Sequence, residues 1–222
     1  MPIPIAQLSK QKIIELAHWR CPEHRHSGIE HYTCWLKYGE PQEKTCIFDI
    51  ETSNLDANFG LLLVWGIKEY GTNNIYQGAI SKADLKSKAL DKRLIKECVD
   101  ELGKYAVVIT YFGTGFDLPW IRSKALHYGL DFPPYGSLRH IDLFYIVRSR
   151  LKLNRGSLDN ACNYLGIKGK TRIEWENWLL AMTQANKEAV ADILDHNKKD
   201  LIITEKLFDV LKPYAKIIRR SI

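Results

Sequence analysis

No run of about 18 apolar residues occurs in the sequence, which argues against a membrane-spanning helix. The opening stretch MPIPIAQLSKQK lacks the long apolar segment and small-residue cleavage site of a secretory signal, so a cytoplasmic protein with no membrane partner is expected. Cysteine is scarce: Cys21, Cys34, Cys46, Cys98 and Cys162 are odd in number and widely scattered, which argues against a disulfide framework. There is no internal repeat and no low-complexity stretch, and nothing implies an oligomer.

The 222 residues, 45% hydrophobic and 11% aromatic, suffice for one sizeable domain with a packed core, with or without a small appendage. Lys and Arg total 32 against 26 Asp and Glu. The resulting net charge of +6 suits a polyanionic partner, although many ordinary proteins share it.

Hydrophobic spacing predicts a short amphipathic helix over residues 5–17, then an irregular segment to about residue 43. From Lys44 the runs TCIFDIE, LLLVWGIKEY and NNIYQGAI, separated by SNLDANFG and GTNN, predict a meander of three strands. In DKRLIKECVDELGK, residues Leu94, Ile95, Cys98, Val99 and Leu102 share a helical face, with Gly103 as a stop. The apolar AVVITYF that follows reads as a buried strand reached by a crossover onto a parallel neighbour. Pro119 can start a helix running to about His127, RHIDLFYIVRSR gives a short strand or turn and then a helix, and SLDNACNYLG offers Ser157 and Gly166 as caps. The last helix should run from about Lys187 to Leu211 and stop at Pro213. Its core-facing stripe includes Asn197, Asp200 and Thr204, which are unusual there.

CIFDIETSNL raises the chemical question. On a strand, Asp49 and Glu51 point to one face and Phe48 and Ile50 to the other. Two like charges side by side cost several kcal/mol each on burial unless something positive compensates. A divalent cation does so directly, since Mg²⁺ and Mn²⁺ prefer carboxylate oxygens; on an edge strand, water would serve instead. Asp117 follows a glycine turn at the end of AVVITYF, where sites form in α/β sheets and where an aspartate also starts helices. Asp200 lies on the buried stripe of the last helix, one turn after His196.

FDIETS, YFGTGFD and HNKKD, in this order and separation, resemble the three exonuclease motifs of the DEDD (DnaQ-like) superfamily, which has a ribonuclease H-like fold. The similarity covers roughly residues 44–212, and RHIDLFYIVRSRLKLNRGSLDNACNYLGI resembles a segment of the predicted RNase H-like 3′-to-5′ exonuclease subgroup. The resemblance implies an α/β fold with a mixed five-stranded sheet flanked by helices over residues 44–222, preceded by an N-terminal extension over residues 1–43. It also implies two Mg²⁺ or Mn²⁺ ions, with Asp49 bridging both, Glu51 and Asp200 completing the first site, and Asp117 holding the second. Two such ions about 4 Å apart activate a water for in-line attack and stabilise the leaving 3′ oxygen.

One departure stands out. Family members carry a tyrosine four residues before the last aspartate or a histidine five before it, whereas His196 stands four before Asp200. His196 is a candidate to position or deprotonate the attacking water, with packing as the alternative. Asp142 matches a family acid that is not a ligand, so helix capping or support of the ligands is expected.

For the substrate, a single-stranded 3′ end of DNA or RNA, the resemblance brings the turn Thr52 to Leu55 near the terminal nucleotide, with Leu55 against the base. Lys168, Lys170 and Arg172, with Trp175 nearby, mix basic and aromatic groups as phosphate and base contacts require, and Lys198 and Lys199 flank the last motif, the alternative for each being a solvated surface charge. In the extension, Cys21-x₂-His24 and His31-x₂-Cys34 form two ligand pairs suited to one structural Zn²⁺, with His26 competing with His24. The alternative is a basic, His-rich extension that packs on the domain or touches nucleic acid. The expected function is metal-dependent 3′-to-5′ exonuclease action. A ribonuclease H-like endonuclease and a non-catalytic nucleic-acid-binding module are the alternatives.

Overall fold

The strand that carries the two acids lies at the centre of the sheet. In the computed structural model β1 (Thr45–Thr52) pairs antiparallel with β2 (Leu62–Glu69) and parallel with β4 (Val107–Thr110). Outside these, β3 (Ile75–Ala79) pairs antiparallel with β2, and β5 (Arg139–Asp142) pairs parallel with β4. The order β3-β2-β1-β4-β5 is the expected mixed five-stranded sheet flanked by helices; Arg220–Ser221 adds a two-residue β6 at the outer edge of β5. The structure describes residues 10–35, 38, 43–134, 136–169, 171, 173–214 and 220–221.

The chain divides into two compact units, Met1–Glu43 and Lys44–Ile222. The larger holds the sheet and helices α3 (Lys82–Lys86), α4 (Lys92–Leu102), α5 (Asp117–His127), α6 (Leu143–Arg150), α7 (Leu158–Tyr164), α8 (Trp175–Gln184) and α9 (Lys187–Leu211). The smaller has α1 (Lys10–His18) and a single helical turn, α2 (Tyr32–Cys34). The first nine residues of the sequence, where the expected first helix begins, lie outside the described residues. Among the described residues no helix is long and apolar enough to cross a membrane.

Strand alternation decides which side chains meet which helix. Phe48 and Ile50 pack with Leu94, Cys98 and Ile121 of α4 and α5, whereas Ile47 packs with Ile109, Leu143, Leu201 and Leu207. Asp49 and Glu51 share the Ile47 face and therefore look toward α9. Each large apolar side chain buried this way contributes about 1.5–3 kcal/mol. All five apolar residues of the α4 stripe are buried, as their spacing predicts.

Helix ends show where local rules hold and where packing overrides them. Ser157 caps α7 by accepting the Asn160 N–H, and Gly166 takes a positive φ of 73° just beyond it. Helix α5 starts at Asp117, two residues before the expected Pro119. Proline is tolerated there because the first-turn N–H groups have no intrahelical partner to lose. Helices α8 and α9 are separated only by Ala185 and Asn186. Ala185 makes the left-handed turn at φ 43°, and Asn186 caps α9 through the N–H groups of Glu188 and Ala189. With alanine where glycine usually marks a helix end, α8 carries no stop signal in the sequence.

Candidate active site

Asp49 is held from α9. Asn197, fully buried, donates through Nδ2 to Asp49 Oδ2 at 2.9 Å and to the Asp49 carbonyl at 3.2 Å. Its own Oδ1 accepts from Gln77 Nε2 at 2.9 Å, and the same Gln77 nitrogen donates to the Leu194 carbonyl. A buried amide with both ends engaged is a rigid fixture, because freeing either end leaves a polar group unsatisfied. The amide fits because Gly66 stands opposite Asp49 on β2: a Cβ there would overlap the Asn197 amide oxygen and come within 2.8 Å of Leu201 Cδ1.

The last β1–β4 pair is Ile47 with Ile109, so the Ile50 N–H lies beyond it and takes another partner. That partner is Asp117 Oδ1, 3.1 Å away, at the first residue of α5. The strand's departure from its neighbour thus opens a place for a third carboxylate beside the residue between Asp49 and Glu51. Asp117 is buried, and burial pushes its carboxyl up to about 7; the Ile50 hydrogen bond opposes this and the Asp142 carboxylate adds to it.

Glu51 and Asp200 meet at the histidine. His196 Nε2 lies 3.7 Å from Glu51 Oε1 and 3.9 Å from Asp200 Oδ2, close enough for charge to act but too far for a direct hydrogen bond. Its other nitrogen, Nδ1, shares a hydrogen bond of 2.9 Å with Thr171 Oγ1. When Nδ1 donates to that hydroxyl, Nε2 keeps its lone pair toward the acids. The i, i+4 spacing on α9 sets His196 and Asp200 on one face.

The four acids offer only oxygen donors, and Asp117 and Asp200 are buried. Hard divalent cations prefer this donor set, and a cation would supply the counter-charge that burial otherwise denies Asp117. The residues therefore fit Mg²⁺ or Mn²⁺.

Asp142 supports the site without joining it. Its oxygens accept the N–H groups of Phe112 at 2.8 Å, Thr114 at 2.9 Å and Phe144 at 3.0 Å, so it caps α6 and ties down the turn leading to Asp117. Phe112 in that turn has φ 68°, a left-handed conformation costly for a bulky residue. Beneath the turn, His140 shares a hydrogen bond with Thr110 Oγ1 at 2.8 Å and contacts Thr114 Oγ1 at 3.4 Å. Burial lowers the His140 pKa to about 4, against the pull of Asp142.

The expected substrate residues fall into distinct settings. Thr52 sits at an irregularity in the β1–β2 pairing and donates to the Asn54 carbonyl at 2.9 Å. Leu55 is 79% exposed on the following loop, where Phe59, not singled out from the sequence, is 78% exposed. The loop is pinned from α5, where Trp120 Nε1 donates to the Asn54 carbonyl and Lys124 Nζ to the Gly60 carbonyl. Lys168 and Lys198 are exposed, Lys199 pairs with Asp195 at 2.5 Å, and Trp175 is 70% exposed at the start of α8. Lys170 and Arg172 lie outside the described residues.

In the smaller unit, ligand atoms of Cys21, His24, His26 and Cys34 all lie within 4.8 Å of one another. His26 takes the place expected of His31 in this group. His31 stands beside it, its Nδ1 3.2 Å from Cys34 Sγ and 3.3 Å from His26 Nε2.

Residues 46–212 match the RNase_H superfamily, and the chain is a member of that family. It is 27% identical over 193 residues to a DNA polymerase of Methanocaldococcus jannaschii, a match covering 75% of this chain and 11% of that protein. It also superposes on the family B DNA polymerase from the hyperthermophilic archaeon Pyrobaculum calidifontis with a TM-score of 0.62 at 17% identity. That superposition covers 78% of this chain and 25% of the polymerase. The chain spans a small part of either polymerase.

Proposed function

We propose that the protein is a divalent-metal-dependent nuclease of the DEDD type that removes nucleotides from the 3′ end of a nucleic acid. What supports this reading is that Asp117 accepts the N–H of Ile50, the residue between Asp49 and Glu51, while His196 on the last helix lies 3.7 Å from Glu51 and 3.9 Å from Asp200 and Asn197 on the same helix holds Asp49. Membership of the RNase_H superfamily supports hydrolysis of phosphodiesters, and similarity to DNA polymerases supports a DNA substrate, with RNA as the alternative.

Asp49 and Glu51 from β1, Asp200 from α9 and Asp117 from α5 would hold the two ions, Mg²⁺ or Mn²⁺. When bound, such ions activate a water and stabilise the leaving 3′ oxygen. Asn197 holds the Asp49 carboxylate in one orientation, so this one proposed ligand is oriented before substrate arrives. His196, oriented by Thr171, accepts a proton from the attacking water at Nε2. The exposed Leu55 and Phe59 would offer apolar surface to the terminal base, and the exposed Lys168 would serve as a phosphate contact.

The test is digestion of 5′-labelled single- and double-stranded DNA and RNA with Mg²⁺ or Mn²⁺, beside an Asp49→Ala control. A ladder descending with time and lost in the variant supports the exonuclease. A discrete internal cut supports the endonuclease alternative, and binding without cleavage under either metal overturns both.

A further inference from the structure

The smaller unit poses a stability problem of its own. Below about 70–80 residues a single core supplies little stability, and such small units commonly rely on a disulfide, a metal or a partner. Its buried apolar side chains are few: Leu16, Cys21, Cys34 and Trp35 among the described residues. The cysteines are free thiols, so no disulfide closes the unit.

The backbone nevertheless converges on one point. Arg25 N–H donates to the Cys21 carbonyl at 2.9 Å and Cys21 N–H to the His26 carbonyl at 2.9 Å, closing residues 21–26 into a tight loop. Arg25 completes the turn at φ 62°, a left-handed conformation uncommon for a residue with a side chain. The loop brings Cys21, His24 and His26 together, and α2 delivers Cys34. Gly28 permits the return: its N–H donates to the Leu16 carbonyl at 2.9 Å, and a Cβ there would come within 2.7 Å of Leu16 Cδ2.

We infer that Cys21, His24, His26 and Cys34 bind one structural Zn²⁺, with His31 outside the ligand set. Zinc bonds of about 2.3 Å to sulfur and 2.0–2.1 Å to nitrogen, tetrahedrally arranged, put sulfur and nitrogen roughly 3.6 Å apart. Cys21 Sγ is 3.6 Å and Cys34 Sγ 3.9 Å from His24 Nδ1. His26 Nδ1 lies 3.2 Å from the Ser27 carbonyl, the backbone hydrogen bond that fixes an imidazole tautomer and leaves Nε2 as the metal donor. His31 Nδ1, 3.2 Å from Cys34 Sγ, donates to that thiolate, and its Nε2 is engaged by Thr33 Oγ1 at 3.0 Å. Four protein ligands leave no open position, which makes the site structural rather than catalytic.

The full chain, purified and dialysed with Zn²⁺ and then against metal-free buffer, should retain about one zinc per chain. Co²⁺ loading should give the intense visible bands of a tetrahedral thiolate site. Alkylation followed by mass spectrometry should find Cys21 and Cys34 protected until a chelator is added. His26→Ala should lose zinc and the cobalt spectrum, whereas His31→Ala should keep both. Asp49→Asn should hold as much zinc as the parent, separating this site from the carboxylates whatever the outcome for the nuclease. A parent that retains no zinc, or a His31→Ala variant that loses it while His26→Ala keeps it, overturns the assignment.

Discussion

Asn197 Nδ2 donates to both the carboxylate and the carbonyl of Asp49, at 2.9 and 3.2 Å, so the last helix grips the central strand at the residue proposed to bridge the ions. Replacing Asn197 by Ala removes the grip and leaves Gln77 Nε2 with the Leu194 carbonyl but without its second acceptor. The expected result is a fall in kcat of about 10–100-fold with a smaller change in KM, measured on a labelled oligonucleotide. Gly66→Ala drives a methyl into the same amide and should lower both activity and thermal midpoint.

The histidine separates water positioning from packing. His196→Ala should lower kcat by about 100-fold or more, the range for loss of a general base. Thr171→Val, which removes only the hydroxyl on Nδ1, should cost about tenfold and shift the pH–rate profile. A His196→Ala variant with parental kcat and reduced stability would reduce the histidine to a packing role.

Asp117, a proposed metal ligand, is costly to the fold as an ion. Its carboxyl is pushed up to about 7 by burial, so ionisation costs the folded state when no cation is bound. Asp117→Asn keeps an acceptor for the Ile50 N–H and removes the charge. In mildly alkaline, metal-free buffer it should raise the thermal midpoint by about 2–4 °C, roughly 1 kcal/mol for a chain of this size, while activity is lost. Added Mn²⁺ should raise the midpoint of the parent more than that of the variant, which scanning calorimetry would show.

His140 makes stability depend on pH in the opposite sense. Its folded pKa of about 4 lies below the ordinary 6.5, so the unfolded chain binds the extra proton between these values. Its contribution is full above pH 6.5, falls as pH drops toward 4, and changes no further below that. The loss is at most about 3 kcal/mol. Asp117 titrates with the reverse sign, so urea midpoints of the parent and a His140→Gln variant, compared across this window, isolate the histidine. Parallel curves would contradict the assignment.

Much of this architecture was legible in the residues. The strand meander, α4, α7 and α9 follow from hydrophobic period and caps because their apolar residues recur at strand or helix spacing and their ends carry Ser157, Gly166 and Pro213. The polar interruptions of the α9 stripe marked Asn197 and Asp200 as buried, and both are. The role of Asn197 was not readable, since it depends on Gly66 and Gln77 from two other strands. Helix α8 was missed because Ala185 ends it where glycine was the signal sought. The exposed Phe59 sits in a turn-rich stretch that carries no periodicity. The choice of His26 over His31 rests on a left-handed turn at Arg25 that no spacing rule announces.

The most direct measurement of the central claim uses a single strand labelled on its 3′-terminal nucleotide. The first product released with Mg²⁺ or Mn²⁺ is sized before substrate is exhausted, for the parent and for Asp49→Asn. Four carboxylates acting on a 3′ end predict that the label leaves as a mononucleotide from the earliest time point, and that Asp49→Asn releases none. Label appearing first in a longer oligonucleotide, or released equally by Asp49→Asn, would contradict it.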